Sequence, residues 1–359
     1  MKNFNNNSPI SLPCGKTSPN RFMLAPMTNT QSNEDGSLSK NEYNWLVMRA
    51  KGGFGLVSTC ASHVDPLGKG FPGQLGIFSD HQIEGHKRLA KGIQNEGSLA
   101  IVQLHHAGMR SPEKLIGQKP VCPSDNEETG ARALSLEEVI TLKDRFIEAA
   151  VRAKKCGYDG VQVHGAHGYI LCQFLSAAHN YRTDEYGGSL ENRARIIKEI
   201  VTGIRKECGP KFLLSLRLSP ERMGMKLSEI KELCLEFEEE KSLDFLDISL
   251  WDCFKMPEEE EHQDKTLLAH FTDLGLKHTA LTVAGKISSA QDVAKILETG
   301  VDFVSIGKSG ILHHDFPNLV MNNSTFEPTA TPVTRAYLAK EGLGEKFLDY
   351  MSRWPGFIE

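Results

Sequence analysis

The chain has 359 residues, 40% hydrophobic and 24% charged, an ordinary globular composition with enough length to bury a large core. A net charge of -5 without any dense Lys/Arg run argues against a nucleic-acid partner, and no window is apolar over a membrane-spanning length. Eight cysteines are irregularly spaced without a C-x-x-C, which excludes a zinc ribbon or iron–sulfur cluster and points to reduced thiols in a cytoplasmic protein.

The Asn-rich stretch from Met1 to Gly15 has no apolar h-region. After it, short apolar runs alternate with helical patterns almost to the end. Strands are predicted near Phe22–Met27, Leu56–Ala61, Leu99–Leu104, Gly160–His164, Phe212–Leu218, Phe245–Ser249, Leu281–Ala284 and Phe303–Ile306. Between them, Val139, Leu142, Phe146, Ala149, Ala150 and Ala153 recur at helical spacing, as do Ile196, Ile197, Ile200, Val201 and Ile204. Gly157 is placed to cap the first of these helices in a left-handed conformation. Parallel neighbours need a crossover, and eight strand–helix repeats predict an α/β fold closed as a single (β/α)8 TIM barrel. The Pro/Gly-rich region from His105 to Ala133 reads as a long loop. The acidic run Glu258 to Glu261 reads as a solvated loop rather than a metal site. Residues 1–333 are expected to form the barrel. Residues 334–359 contain Tyr337, Leu338, Leu343, Phe347, Tyr350 and Trp354, an amphipathic tail expected to pack on the barrel or on a partner subunit, which would make a homo-oligomer.

Such a barrel keeps its chemistry at the C-terminal ends of the strands. The first strand runs into Ala25-Pro-Met-Thr28, the second into Cys60-Ala-Ser-His63, and the third into Gln103-Leu-His-His-Ala-Gly108. The fourth gives His164, His167 and Tyr169. The fifth carries Arg217 and the sixth ends at Ser249 and Trp251, the latter a candidate substrate contact. The last two strands end in Gly285-Lys286 and Gly307-Lys308, where this fold often holds a phosphate. Glycine lets a phosphate approach backbone N–H groups and lysine adds a point charge. On the residues alone, His164 and His167 are hydrogen-bond donors, core residues or metal ligands, and Tyr169 is an acid or a packing residue.

The segment His164-Gly-Ala-His-Gly-Tyr169, followed by Arg182-Thr-Asp-Glu-Tyr-Gly-Gly-Ser-Leu-Glu-Asn-Arg193, resembles the signature of the Old Yellow Enzyme family, the FMN-dependent ene-reductases. Ala25 to Thr28, Gln103 to Gly108, Arg217 and Ser305-Ile-Gly-Lys308 follow in the family's order, so the resemblance covers the barrel from Asn20 to about Pro317. It implies tightly but non-covalently bound FMN, reduced transiently by NADPH or NADH and reoxidised by an activated alkene, with small molecules as substrates. It also implies flavin contacts at Ala25, Pro26, Met27, Thr28, Ala61, Gln103 and Arg217, and phosphate contacts at Gly285, Lys286, Gly307 and Lys308. His164 and His167 would bind the substrate carbonyl and Tyr169 would donate a proton to the α-carbon. A cation beside the flavin favours its reduced, anionic form, which gives Arg217 a physical reason to be there.

Some positions depart from the pattern. Thr30 stands where one branch carries a substrate-facing tyrosine, and Thr28 where that branch often has cysteine. Lys308 replaces an arginine, a point charge in place of a bidentate fork. Gly108-Met-Arg110 replaces the commoner Gly-Arg, which leaves the role of Arg110 open. No G-x-G-x-x-G follows a strand, so nicotinamide is expected to bind over the flavin and not in a Rossmann domain. The rival readings are a non-redox barrel lyase or isomerase acting on a phosphorylated substrate, and a flavin-binding barrel with little catalysis.

Overall fold

The computed structural model describes residues 7–359; the first six residues of the Asn-rich start lie outside it. Eight parallel strands close into one barrel: β1 Phe22–Leu24, β2 Leu56–His63, β3 Leu99–His105, β4 Gly160–Gly165, β5 Leu213–Leu218, β6 Phe245–Ser249, β7 Ala280–Ala284 and β8 Phe303–Ile306. All eight predicted strands are present. β1 is shorter than expected because Pro26 has no N–H to give a ladder. β2, β3 and β4 run one or two residues further, which brings His63, His105 and Gly165 into the sheet.

Alternation along each strand separates two sets of side chains. The outward set (Val57, Val102, Val161, Val163, Leu214, Leu216, Leu246, Val283 and Val304 among it) packs under the surrounding helices. The inward set begins with an apolar floor of Met23, Leu56, Ile101, Leu213, Phe245, Ala280 and Phe303. The Phe245 and Phe303 rings meet edge to face at 5.1 Å, and Ile10, Leu12 and Cys14, beside the hairpin of Ile10–Ser11 and Thr17–Ser18, seal this end. Two residues higher, the inward positions turn polar: Gln103, Gln162, Ser215, Asp247, Thr282 and Ser305, all buried. Strand β2 keeps its place in this pattern through a one-residue bulge. Ser58 pairs with Ile101 but Ala61 pairs with Gln103, so Ala61 joins the inward set while Cys60 turns outward to the Glu42 carboxylate at 3.0 Å.

The helices form where the sequence period places them. Helix α1, Lys40–Lys51, is capped by Ser39, and α2 spans Ile83–Asn95. Helix α3, Leu136–Lys155, opens on a Ser135/Glu138 capping box, buries the predicted stripe from Val139 to Ala153, and is followed by Gly157 at φ 85°. Helix α4, Leu190–Cys208, is capped by Ser189. Helices α5, Leu227–Glu240, and α6, Ala290–Glu298, complete the longer crossovers. The stretch between His105 and Ala133 is less open than its composition suggests. It holds a turn at Gly108–Arg110, a short helix at Glu113–Ile116, and a two-residue ladder of Val121–Cys122 with Arg132–Ala133. In the acidic loop, Glu259, Glu261 and His262 bring ligand-type atoms within 4.8 Å of one another, and Glu259 also accepts the Leu227 N–H at the start of α5 at 2.7 Å.

The tail lies against α1 and the segment after β1. Helices α7, Arg335–Lys340, and α8, Glu345–Met351, bury Leu338, Phe347, Leu348 and Met351, and Phe347 meets Trp45 at 5.4 Å. Thr30 Oγ1 donates to the Lys346 carbonyl at 3.0 Å and the Gly344 N–H donates to Gln31 Oε1 at 2.8 Å. Among the described residues no helix is long and apolar enough to cross a membrane.

The Arg182–Arg193 segment forms a latch beside the barrel mouth. Arg182 donates to the carbonyls of Pro123 and Leu134 at 2.9 and 2.5 Å and pairs with Asp184, which accepts the Tyr186 N–H at 3.1 Å. Asn180 bridges the carbonyls of Phe174 and Tyr186 at 2.8 and 2.7 Å. Buried Arg193 donates to the carbonyls of Gly188 and Leu175 and reaches Glu229 on α5 through two bonds of 3.1 and 2.7 Å. Breaking a pair of this kind from one side costs about 3–5 kcal/mol, because the other charge is left alone. Arg193→Ala is therefore expected to lower the unfolding free energy by about that amount in urea titration; a loss within ~0.5 kcal/mol would show that the latch is not structural.

Candidate active site

The C-terminal mouth of the barrel collects the predicted residues, each from the end of its own strand. His164 is the last inward residue of β4, and the chain then turns through His167, whose φ of 61° holds it in the left-handed region. Three contacts fix His167 there. Its N–H donates to Ser219 Oγ at 3.0 Å, its Nε2 lies 2.7 Å from Ser249 Oγ, and its carbonyl accepts from Arg110 Nη1 at 2.5 Å. The His164 ring lies 5.1 Å from His167 and 5.2 Å from Tyr169, edge to face in both cases. Arg110 also caps the Tyr169 ring at 4.6 Å, so it ties both residues down.

Burial decides the protonation of this group. It lowers His164 well below the ordinary imidazole range and His167 to about 3, with Arg217 and Arg110 pushing the same way. Both rings are neutral at physiological pH, one nitrogen a donor and the other an acceptor. Burial raises the Tyr169 phenol above its usual value, so it keeps its proton. Two neutral rings and a protonated phenol can hydrogen-bond a carbonyl and deliver a proton.

Deeper in the barrel, Gln103 Nε2 donates to Gln162 Oε1 at 2.8 Å, and Gln162 Nε2 donates to Asp247 Oδ2 at 3.2 Å. The Arg217 guanidinium lies against the same carboxylate, Nε to Oδ2 3.3 Å. Asp247 Oδ1, Ser215 Oγ, Thr282 Oγ1 and Ser305 Oγ are buried without a hydrogen-bond partner, and Arg217 Nε makes its ion pair without a hydrogen bond. Buried polar atoms are normally satisfied, so this layer suits a ligand rich in hydrogen-bonding groups. Ala25, buried, and half-buried Pro26, Met27 and Thr28 form one wall, with Ala61 beside Gln103.

At the far side, Gly285 sits where a Cβ would lie 2.8 Å from the Asp252 nitrogen, so the chain passes there only as glycine. Lys286, at φ 52°, pairs with Asp252 at 2.9 Å. A Cβ on Gly307 would meet only Met27 Sδ, at 3.7 Å, so this backbone faces an open space. Lys308 donates to Thr331 Oγ1 at 3.1 Å and lies over the Phe357 ring at 5.4 Å. Two candidates sit apart from the cluster of rings. The Thr30 hydroxyl is bonded to the tail, and Trp251 is 61% exposed on the rim with Arg222 stacked over it at 4.9 Å.

The sequence reading passed over several residues here. Gln162 and Asp247 are polar residues inside apolar strands at inward parity, a signal that was available. His105 is buried with both ring nitrogens unpartnered, and its ring lies 4.3 Å from Tyr169. Tyr350 on α8 raises the Tyr169 phenol electrostatically, behind the larger effect of burial, and no sequence spacing links the two.

The chain is similar to known proteins over most of its length. Residues 8–325 match the family described as NADH:flavin oxidoreductase / NADH oxidase. The Bacillus subtilis protein named "Probable NADH-dependent flavin oxidoreductase YqiG" is 38% identical over 311 residues, covering 84% of this chain and 83% of that one. An NADH oxidase from Thermoanaerobacter brockii is 34% identical over 313 residues, 83% of this chain but 48% of the relative's length. The solved Old Yellow Enzyme homologue from Zymomonas mobilis superimposes with a TM-score of 0.80 at 25% identity, covering 97% of this chain and 99% of that one.

The buried imidazoles give a stability signature. His63 and His86 are held at about 4 and His167 at about 3 by burial, against 6.5 for a free histidine. As pH falls below ~6.5, only the unfolded chain takes up these protons, so stability is lost progressively toward ~4. At pH 5 each such ring lowers the unfolding free energy by about 2 kcal/mol. Denaturant midpoints at pH 7.5 and 5 are expected to show this loss, and equal midpoints would contradict the neutral assignment.

Proposed function

We infer, for a chain that belongs to the NADH:flavin oxidoreductase / NADH oxidase family, the Old Yellow Enzymes, that it reduces the C=C bond of α,β-unsaturated carbonyl or similarly activated compounds by a ping-pong mechanism. As a member of that family it is an NAD(P)H-dependent flavin oxidoreductase with FMN as its cofactor. The buried polar layer at mid-barrel fits such a cofactor, since its atoms without a hydrogen bond include both donors and acceptors. Gln103 and Arg217 would hold the ring's polar edge. Ala25 to Thr28 and Ala61 would line its face, and Gly285, Lys286, Gly307 and Lys308 would hold its phosphate. FMN, when bound, supplies hydride transfer in both directions, from nicotinamide and to the alkene.

The chain's own residues do the rest. His164 and His167 hold the substrate carbonyl with neutral ring N–H groups, which stabilises charge as it builds on oxygen. The three bonds around His167 fix its geometry in advance, so little is lost in ordering it. Tyr169 gives its proton to the α-carbon, and a phenol held above its ordinary pKa is protonated when that proton is needed. Arg217 offers a permanent cation on the flavin side. The observation that carries this reading is the packing of His164, His167 and Tyr169 at the end of β4, one strand from Arg217, with His164 and Arg217 as register partners. Eight buried, free thiols are in keeping with a cytoplasmic setting.

Tyr169→Phe separates the two half-reactions. Stopped-flow traces are expected to show flavin reduction by NAD(P)H near the wild-type rate, with reoxidation by an enone slowed roughly 10²–10⁴-fold. Reoxidation at the wild-type rate would remove Tyr169 as the acid. His164→Ala is expected to weaken enone binding without abolishing flavin reduction, read as a higher KM for the enone; an unchanged KM would take His164 out of the carbonyl site.

A further inference from the structure

Above the apolar floor, the inward layer of polar residues carries a single carboxylate, Asp247. It is completely buried, and strand register sets it directly opposite Arg217, with β5 and β6 as neighbours. Its Oδ2 is shared. Arg217 Nε lies 3.3 Å from it and Gln162 Nε2 donates to it at 3.2 Å, while Gln162 Oε1 takes a bond from Gln103 Nε2 at 2.8 Å. Gln103 and Arg217, one strand apart on either side of β4, are therefore tied to the same acid.

We propose that Asp247 is a positioning residue for the flavin site: it aims Arg217 and, through Gln162, Gln103, and it sets how much positive charge Arg217 presents to the cofactor. The proposal rests on the reading of Gln103 and Arg217 as flavin contacts. A buried guanidinium next to a group that gains negative charge on reduction favours the reduced form. A carboxylate against its other side offsets part of that field, because screening by water is weak at this depth. Burial pushes the Asp247 carboxyl above its ordinary range, and Arg217 and Gln162 act against that shift. The guanidinium at 3.3 Å and the Gln162 amide at 3.2 Å both favour the charged form of the carboxylate. Asp247 thereby holds the flavin's potential below the value that Arg217 alone would impose. Both half-reactions would depend on that setting, since reduction by nicotinamide favours a higher potential and reduction of an alkene a lower one.

Asp247→Asn tests this with little change of shape, since the amide oxygen can still accept from Gln162. The purified variant, loaded with FMN, is equilibrated with a reference dye at pH 7 and its two-electron midpoint potential measured. The expected result is a rise of about 30 mV, a tenfold change in the reduction equilibrium. An Asn variant that binds FMN and keeps the wild-type potential overturns the proposal. Should that variant not fold, Asp247→Glu decides instead, because it keeps the charge. A reduction equilibrium within about threefold of wild type supports the proposal, and a tenfold displacement overturns it. Arg217→Gln, run in parallel, tests the underlying reading. Unchanged FMN affinity and potential there would show that Arg217 does not touch the flavin, whatever Asp247 does.

Discussion

Closing eight parallel strands on themselves forces every second side chain into a space with no room for solvent, and the rest of this molecule follows from how that space is filled. At the bottom it is filled with Met23, Leu56, Phe245, Phe303 and their neighbours, and nothing more is needed. At the next level the chain places glutamines, hydroxyls, a carboxylate and then an arginine, groups that are costly to bury unpaired. The fold tolerates them because the floor and the outer helices supply the hydrophobic stabilisation, and because several are tied to one another, Gln103 to Gln162 and both Gln162 and Arg217 to Asp247. Stability and function are thus stacked along one axis. The transition between them takes only two residues of each strand.

Much of this was legible in the sequence, and for identifiable reasons. The eight strands and the stripes on α3 and α4 were visible because buried parallel strands are continuous apolar runs and helices repeat at three and four. His164, His167, Tyr169 and Arg217 stood out because titratable residues at strand ends are unusual, and the resemblance gave them roles. Asp247 and Gln162 were missed although each interrupts an apolar strand at an inward position. A single polar residue in a strand reads as noise until register shows that it faces another. The contribution of Tyr350 was not legible at all, because it depends on where a tail helix docks some 180 residues along the chain from Tyr169.

The segment from Arg182 to Arg193 illustrates a different limit. Its length and specificity make it the strongest mark of the family, which invites a catalytic reading. Its bonds run instead to the carbonyls of Pro123, Leu134, Leu175 and Gly188 and to Glu229 on α5. Backbone carbonyls in a loop have no ladder partners, and the two arginines satisfy several at once. The segment joins the β3 and β4 loops to the outer helices, and it holds the end of the Ile170–Leu175 helix that follows Tyr169.

The bulge in β2 has a consequence for how this strand can change over time. Below it, Leu56 and Ser58 face inward; above it, Ala61 does, and the extra residue is what exchanges the two phases. Removing one residue between Ser58 and Ala61 would not shorten the strand locally. It would remove the bulge instead: Ser58 and Ala61 would stay opposite Ile101 and Gln103, both facing inward with one outward residue between them. A single loss elsewhere in the strand would turn every side chain beyond it to the other face, so within β2 the bulge is where length can change by one residue without exchanging the two faces.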